Sequence, residues 1–180
     1  MSHRFDFQSV EEKAFIIQNI AVAGEDYGYR YRADYKYKDR FEQLLSRYTI
    51  EIAATTRMVE DTIAGLEYDM LGFHYSSESM DKRIRGDRVI GEFESHDPNP
   101  ASFRTCLNKI IHARKVHFLY RSEERNGDTF EYWGGDICFE GEYYGDEWCI
   151  TIYMEYWCDV VLFFYEIITS EIGWYEIYDS

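Results

Sequence analysis

Apolar residues recur at spacings of three and four through the first third of the chain and at alternate positions through much of the last third. The first period belongs to helices buried along one side, the second to strands. Val10, Ala14, Ile17, Ala21 and Gly24 form one helical stripe, widened by Ile16, Ile20 and Ala23. Ser9-Val-Glu-Glu12 reads as a capping box at its start, and the pattern predicts that this first helix continues past Gly24, to about Arg32. A second stripe, Phe41, Leu44, Leu45, Tyr48, Ile52, Thr55, Val59 and Ile63, predicts a longer helix from about Lys36 to Ala64, with Gly65 as its stop. Two long helices in succession predict an antiparallel hairpin that begins a bundle.

Residues 66–98 lack a clear period. Gly72, Gly86 and Gly91 punctuate them, and Lys82, Arg83, Arg85 and Arg88 make the segment basic, fitting a short helix or a loop. His74 and His96 have no partner at a metal-binding spacing and read as surface histidines. Residues 99–115 then predict one helix, with Asn99 or Ser102 as its cap and Pro100 in its first turn. Phe103, Leu107, Ile110 and Ile111 give it an apolar face. Arg104, Asn108 and His112, four apart, give it a polar ridge.

From Val116 the period is two. Strands are predicted over 116–121, 129–133, 136–144 and 147–154, joined by Asn126-Gly127, Gly134-Gly135 and Tyr144-Gly-Asp146 turns. Residues 156–170 predict a last helix, and the tail from Trp174 an edge strand or a docking segment. The expected fold is α+β: a helical bundle begun by a long antiparallel helix hairpin, followed by a small antiparallel β-meander and a C-terminal helix. One domain is expected over 1–180, mainly helical in 9–115 and mainly strands with a final helix in 116–180.

Charge changes this picture. The chain of 180 residues carries a net −15, but unevenly. Arg125 is the last Lys or Arg, and thirteen acids follow it. An excess of acid opposes nonspecific nucleic-acid binding, which depends on neutralising phosphates with Lys and Arg. The ordinary role of such a segment is to keep an aromatic-rich surface soluble; it could also hold a basic partner. Residues 27–40 interleave tyrosines with Arg and Lys, a mixture suited to stacking plus phosphate contact; the structural reading, tyrosines sealing a helix seam with cationic heads in water, is favoured.

Cys106, Cys138, Cys149 and Cys158 include no C-x-x-C pair and read as reduced, buried cysteines. With a polar start and no long apolar run, the expected setting is cytoplasmic, with no membrane partner. No phosphate-binding glycine loop, nucleophile elbow, zinc spacing or dinucleotide fingerprint is present, so neither metal nor cofactor is expected.

The one constellation with a mechanism is the ridge. Imidazole can take and return a proton in RNA cleavage, and a guanidinium can stabilise charge developing at phosphorus. His112 would be the general acid/base, Arg104 the phosphate clamp and Asn108 the orienting group, with Lys109 and Arg114 as further substrate contacts. Two copies across a twofold axis would supply two histidines.

Asn108-Lys-Ile-Ile-His112 on a bundle helix resembles the signature of HEPN domains. These are α-helical bundles, often dimeric, many of them metal-independent RNases of bacterial and phage conflict systems. Their motif places an Arg just before the polar residue; Leu107 stands there in this chain, and Arg104 is the nearest upstream Arg. Members without that Arg are often binding or antitoxin-like modules. Ser102-Phe-Arg-Thr-Cys-Leu-Asn-Lys-Ile-Ile-His-Ala113 also resembles a stretch of uncharacterised bacterial proteins. The resemblance implies RNA or nucleotide as ligand, a homodimer, and RNase activity if the ridge is complete. The alternative is a non-enzymatic antitoxin, inhibitor or nucleic-acid mimic that binds a basic protein through residues 126–180. A third reading leaves the ridge merely solvated.

Overall fold

The computed structural model describes residues 6–65, 76–94 and 100–171. His74, His96, Asn99 and the tail from Trp174 lie outside these residues. The fold is α+β. Its elements are α1 (Phe7–Val22), α2 (Gly24–Tyr31), α3 (Tyr35–Ala64), α4 (Ser77–Arg85), β1 (Gly91–Phe93), α5 (Phe103–Ile111), β2 (Lys115–Arg125), β3 (Asp128–Tyr143), β4 (Asp146–Tyr153) and α6 (Met154–Glu171). The strands form one antiparallel sheet in the order β1-β4-β3-β2. The meander is therefore β2-β3-β4, with the short β1 added at the outer edge of β4.

The helix ends show where local signals decide and where packing does. Gly65 terminates α3, its N–H returning to Asp61 O and Thr62 O. Asp34 caps the other end by accepting from Lys36 N. The cap of α1 is Asp6, whose carboxylate accepts from Ser9 N, so the helix starts two residues before the predicted cap at Ser9. The predicted single helix to Arg32 breaks at Ala23, and α2 lies against β3. The reason is contact. A Cβ on Gly24 would stand 2.2 Å from Trp133 O, and one on Gly28 would stand 2.4 Å from Tyr132 Cβ. Glycine at both positions lets helix backbone approach strand backbone more closely than any side chain permits.

β3 also differs from expectation. Gly134-Gly135 does not separate two strands; it bulges one. Pairing with β2 runs Leu119↔Asp136 and then Tyr120↔Trp133, leaving both glycines outside the ladder, with Gly135 at φ +90°. The bulge re-aims Trp133 into the core, where it is 2% exposed.

One face of the sheet, carrying Ile137, Phe139, Ile150 and Ile152, joins Trp157, Phe164 and Tyr165 of α6 and Phe103 of α5 in a continuous core with α1 and α3. The opposite face, by alternation, carries Asp136, Cys138, Glu140 and Glu142 of β3. No helix among the described residues is long and apolar enough to cross a membrane.

Replacing Gly24 with Ala is expected to destabilise the protein by about 2 kcal/mol through overpacking. Urea denaturation measures it; an unchanged midpoint would mean α2 does not press on β3.

Candidate functional site

The central helix is shorter than its sequence suggests. Ser102 caps α5 by accepting from Thr105 N, and the helix ends at Ile111. Pro100 lies before it, bridged to Glu92. His112 is therefore the C-cap residue, its N–H returning to Asn108 O.

α5 packs on the C-terminal half of α3, and that contact decides what the ridge touches. Arg104 lies 3.1 Å from Glu60 and 2.9 Å from Asp61, both on α3. Asn108 accepts from Arg57 Nε at 2.8 Å. Arg57 also reaches Asp61, one helical turn along its own helix. Two guanidinium groups from two helices thus converge on one carboxylate, with Asn108 steering one of them. Asp61 is half-exposed, whereas Glu60 is buried at 3%. Glu60 receives a hydrogen bond from the Ser77 hydroxyl of α4 at 3.0 Å. The Glu60–Arg104 contact is an ion pair whose alignment falls short of a hydrogen bond.

Arg57 is the residue that sequence reasoning missed. It lies on an amphipathic helix among threonines, and its partner is fifty-one positions away. The only local signal was the Arg57, Glu60, Asp61 spacing on one helical face.

The imidazole of His112 is exposed and makes no hydrogen bond or ion pair among the described residues. Lys109 and Arg114 serve other elements. The Lys109 ammonium lies 4.1 Å from the Trp148 ring centre and 5.6 Å from that of Phe93, and burial holds its pKa below the usual lysine value. Arg114 pairs with Glu142 of β3. The structure thus joins Arg104 and Asn108 through Arg57, leaves His112 at the end of the helix, and turns Lys109 and Arg114 toward the sheet.

The tyrosine-rich segment builds a second feature. Tyr31 and Tyr37 stack at 4.4 Å, and the stack continues through Phe41 at 5.8 Å. It borders a cavity of about 400 Å³ between α2, the start of α3 and the β2–β3 ribbon. Its cationic lining is paired: Arg32 with Asp128, and Lys38 with Glu131 while lying over the Tyr120 ring. The Tyr31–Tyr37 stack joins α2 to α3, with the cationic heads at the surface.

The acidic last third is largely answered from within. Glu140 pairs with Lys115, Glu142 with Arg114 and Asp136 with Arg121 across β2 and β3. Asp159 and Glu171 of α6 pair with Arg88 and Arg83.

No protein-family model, curated protein or solved structure matches the chain.

Arg104→Met leaves Glu60 buried without its cation and is expected to cost about 2 kcal/mol, toward the low end for a broken pair because Arg104 is partly solvated. Adding Glu60→Gln should recover about half of it in a double-mutant cycle. Additive losses would mean that the pair is not coupled. The Arg57 hydrogen bond, and then Arg104, hold the Asp61 carboxyl below its ordinary range against an opposing effect of burial. A carboxylate with a depressed folded-state pKa contributes stability above its unfolded pKa, about 3.9, and loses it as pH falls through the folded value. Asp61→Asn should therefore flatten the stability–pH curve below about pH 4. Parallel curves for the two proteins would contradict this.

Proposed function

We propose that the chain is a HEPN-like module that binds a nucleotide, or a phosphate of RNA, on the α3–α5 ridge. The observation that supports this reading best is the convergence of Arg57 and Arg104 on Asp61. Two guanidinium groups fixed around one anion are the hardware for a phosphate. Asp61 occupies the anion's place and, being half-exposed, can swing away, whereas Glu60 cannot. Arg57 brings through space the cation that Leu107 does not supply in sequence.

Binding is the principal activity in this reading. Both arginines are already held by carboxylates, so a ligand must compete for them. The net charge of −15 further favours a small ligand or an RNA end over a long polyanion. His112 is the group for any proton transfer, and a second copy across a twofold axis would bring a second imidazole.

Binding of a 5′-phosphorylated oligoribonucleotide, measured by fluorescence anisotropy at low salt, tests it. Asp61→Asn should tighten binding about tenfold and Arg57→Gln weaken it about tenfold, each close to 1.4 kcal/mol. His112→Ala should leave binding within about twofold and remove whatever cleavage the protein performs. Wild-type affinity in both the Asp61 and Arg57 variants would sink the proposal.

A second reading, an acidic interaction protein, draws on the β3–β4 hairpin tip. Tyr144 is 92% exposed and sits at φ 51°, a backbone region costly for a bulky residue. Asp146 and Glu147 beside it make no ion pair among the described residues. An exposed aromatic next to unanswered carboxylates suits a basic peptide. Tyr144→Asn should raise stability by about 0.5–1 kcal/mol while weakening capture of an Arg/Lys-rich peptide. Unchanged capture would discard this reading.

A further inference from the structure

Away from the ridge, the outer face of the sheet gathers a donor set that no sequence spacing announces. Cys138 and Cys149 lie on adjacent strands, β3 and β4, two residues out of register and so on one face, since Cys138 is opposite Thr151 and Cys149 opposite Glu140. Their sulfurs are 2.6 Å apart. Glu94 follows the end of β1, and its N–H continues the ladder to Cys149 O at 3.1 Å. That hydrogen bond places Glu94 beside Cys149. The Glu94 carboxylate and the two sulfurs all lie within 4.8 Å of one another. Two donors lie on neighbouring strands and the third directly follows β1, held to β4 by its backbone hydrogen bond, so the sheet fixes their relation. Four strands in register are a stiffer frame than a loop.

We propose that Cys138, Cys149 and Glu94 form a binding site for a thiophilic divalent metal ion of the zinc type. Two thiolates and a carboxylate are ligands such an ion accepts in tetrahedral geometry, with bonds of about 2.0–2.3 Å. Donors already within 4.8 Å need only small rotations to surround it, the two sulfurs moving apart from their present contact. Binding exchanges two thiol protons for the metal, and a solvent molecule completes the fourth position. Room for it exists: Glu94 and Cys149 line a polar cleft of about 440 Å³ together with Arg114 and Lys115. Those two cations are already paired with Glu142 and Glu140 of the same cleft, which Glu147 also lines, so the cleft keeps an excess of acid that suits a divalent cation. On the other side of Cys138, its cross-strand partner His117 is held by Glu140 at 3.3 Å. His117 is not among the donors that lie within 4.8 Å of one another, so the fourth position is left to solvent.

The third donor is what separates this site from a simple dithiol. Two cysteines this close could form a disulfide instead, a reaction in which Glu94 takes no part. The experiment therefore has to separate the two. Full-length protein, reduced with a phosphine, is titrated with Zn²⁺ against a chromophoric chelator and with Co²⁺ as a spectroscopic probe. The expected result is one ion per chain, with a thiolate-to-cobalt charge-transfer band and intense tetrahedral ligand-field bands. Cys149→Ser should weaken Zn²⁺ binding at least 100-fold and Glu94→Gln about tenfold, close to 1.4 kcal/mol. Cys106→Ser, whose sulfur lies in the core, should leave it unchanged. Glu94 is exposed at the end of its strand, so its variant keeps the fold even if a cysteine variant does not. Zn²⁺ should also slow the reaction of the Cys138 and Cys149 thiols with an aromatic disulfide. Binding indifferent to both the Cys149 and Glu94 substitutions, an octahedral cobalt spectrum without charge transfer, or thiol reactivity unaffected by Zn²⁺ would each overturn the proposal.

Discussion

A buried carboxylate organises the helical half of this protein. Glu60 sits on α3 at 3% exposure, where an ionised group without partners would cost several kcal/mol. Two other helices supply partners: Ser77 of α4 gives a hydroxyl and Arg104 of α5 a guanidinium. Answering that charge ties the first residue of α4 to α3 and adds an ion pair to the apolar contact between α5 and α3. Once Arg104 is fixed, its remaining edge meets Asp61, and Arg57 meets Asn108. The two arginines of the ridge are thereby set around Asp61.

This gives the two acidic residues different duties. Glu60 is the permanent partner of Arg104. Asp61 lies at the surface and is shared between two arginines without being buried by either. In the proposed function this distinction lets a phosphate take the place of Asp61 without disturbing the buried Glu60–Arg104 pair. It also limits chemistry. A guanidinium committed to a buried carboxylate has less freedom to follow a developing negative charge than an uncommitted one.

Much of the fold was legible in the sequence because it was locally encoded. The apolar stripe from Phe41 to Ile63 and the stop at Gly65 gave α3 nearly residue for residue. Asn126-Gly127 gave the first hairpin, both residues at positive φ. What was not legible depends on distant partners. Gly24 looks like a tolerated glycine inside a helix until Trp133 is seen pressing on it. Gly134-Gly135 looks like a strand break until β2 pairs with both sides of it. β1 has three residues and exists only because β4 offers an edge. The ridge was half legible: Arg104 and Asn108 follow from helical spacing, while Arg57 reaches them only through space. The charge split is likewise a matter of distant partners: the bases that answer the last third lie earlier in the chain and meet it across the sheet or on the last helix.

The central claim is that Arg57 and Arg104 hold a site in which phosphate replaces Asp61. An NMR titration with inorganic phosphate, following the guanidinium resonances of Arg57 and Arg104 and the carboxyl carbon of Asp61, tests it most directly. The account predicts that these three signals shift together and saturate along one curve, while the carboxyl carbon of Glu60 stays in place. Shifts scattered over other surfaces, or arginine signals that remain still while phosphate binds elsewhere, would contradict it.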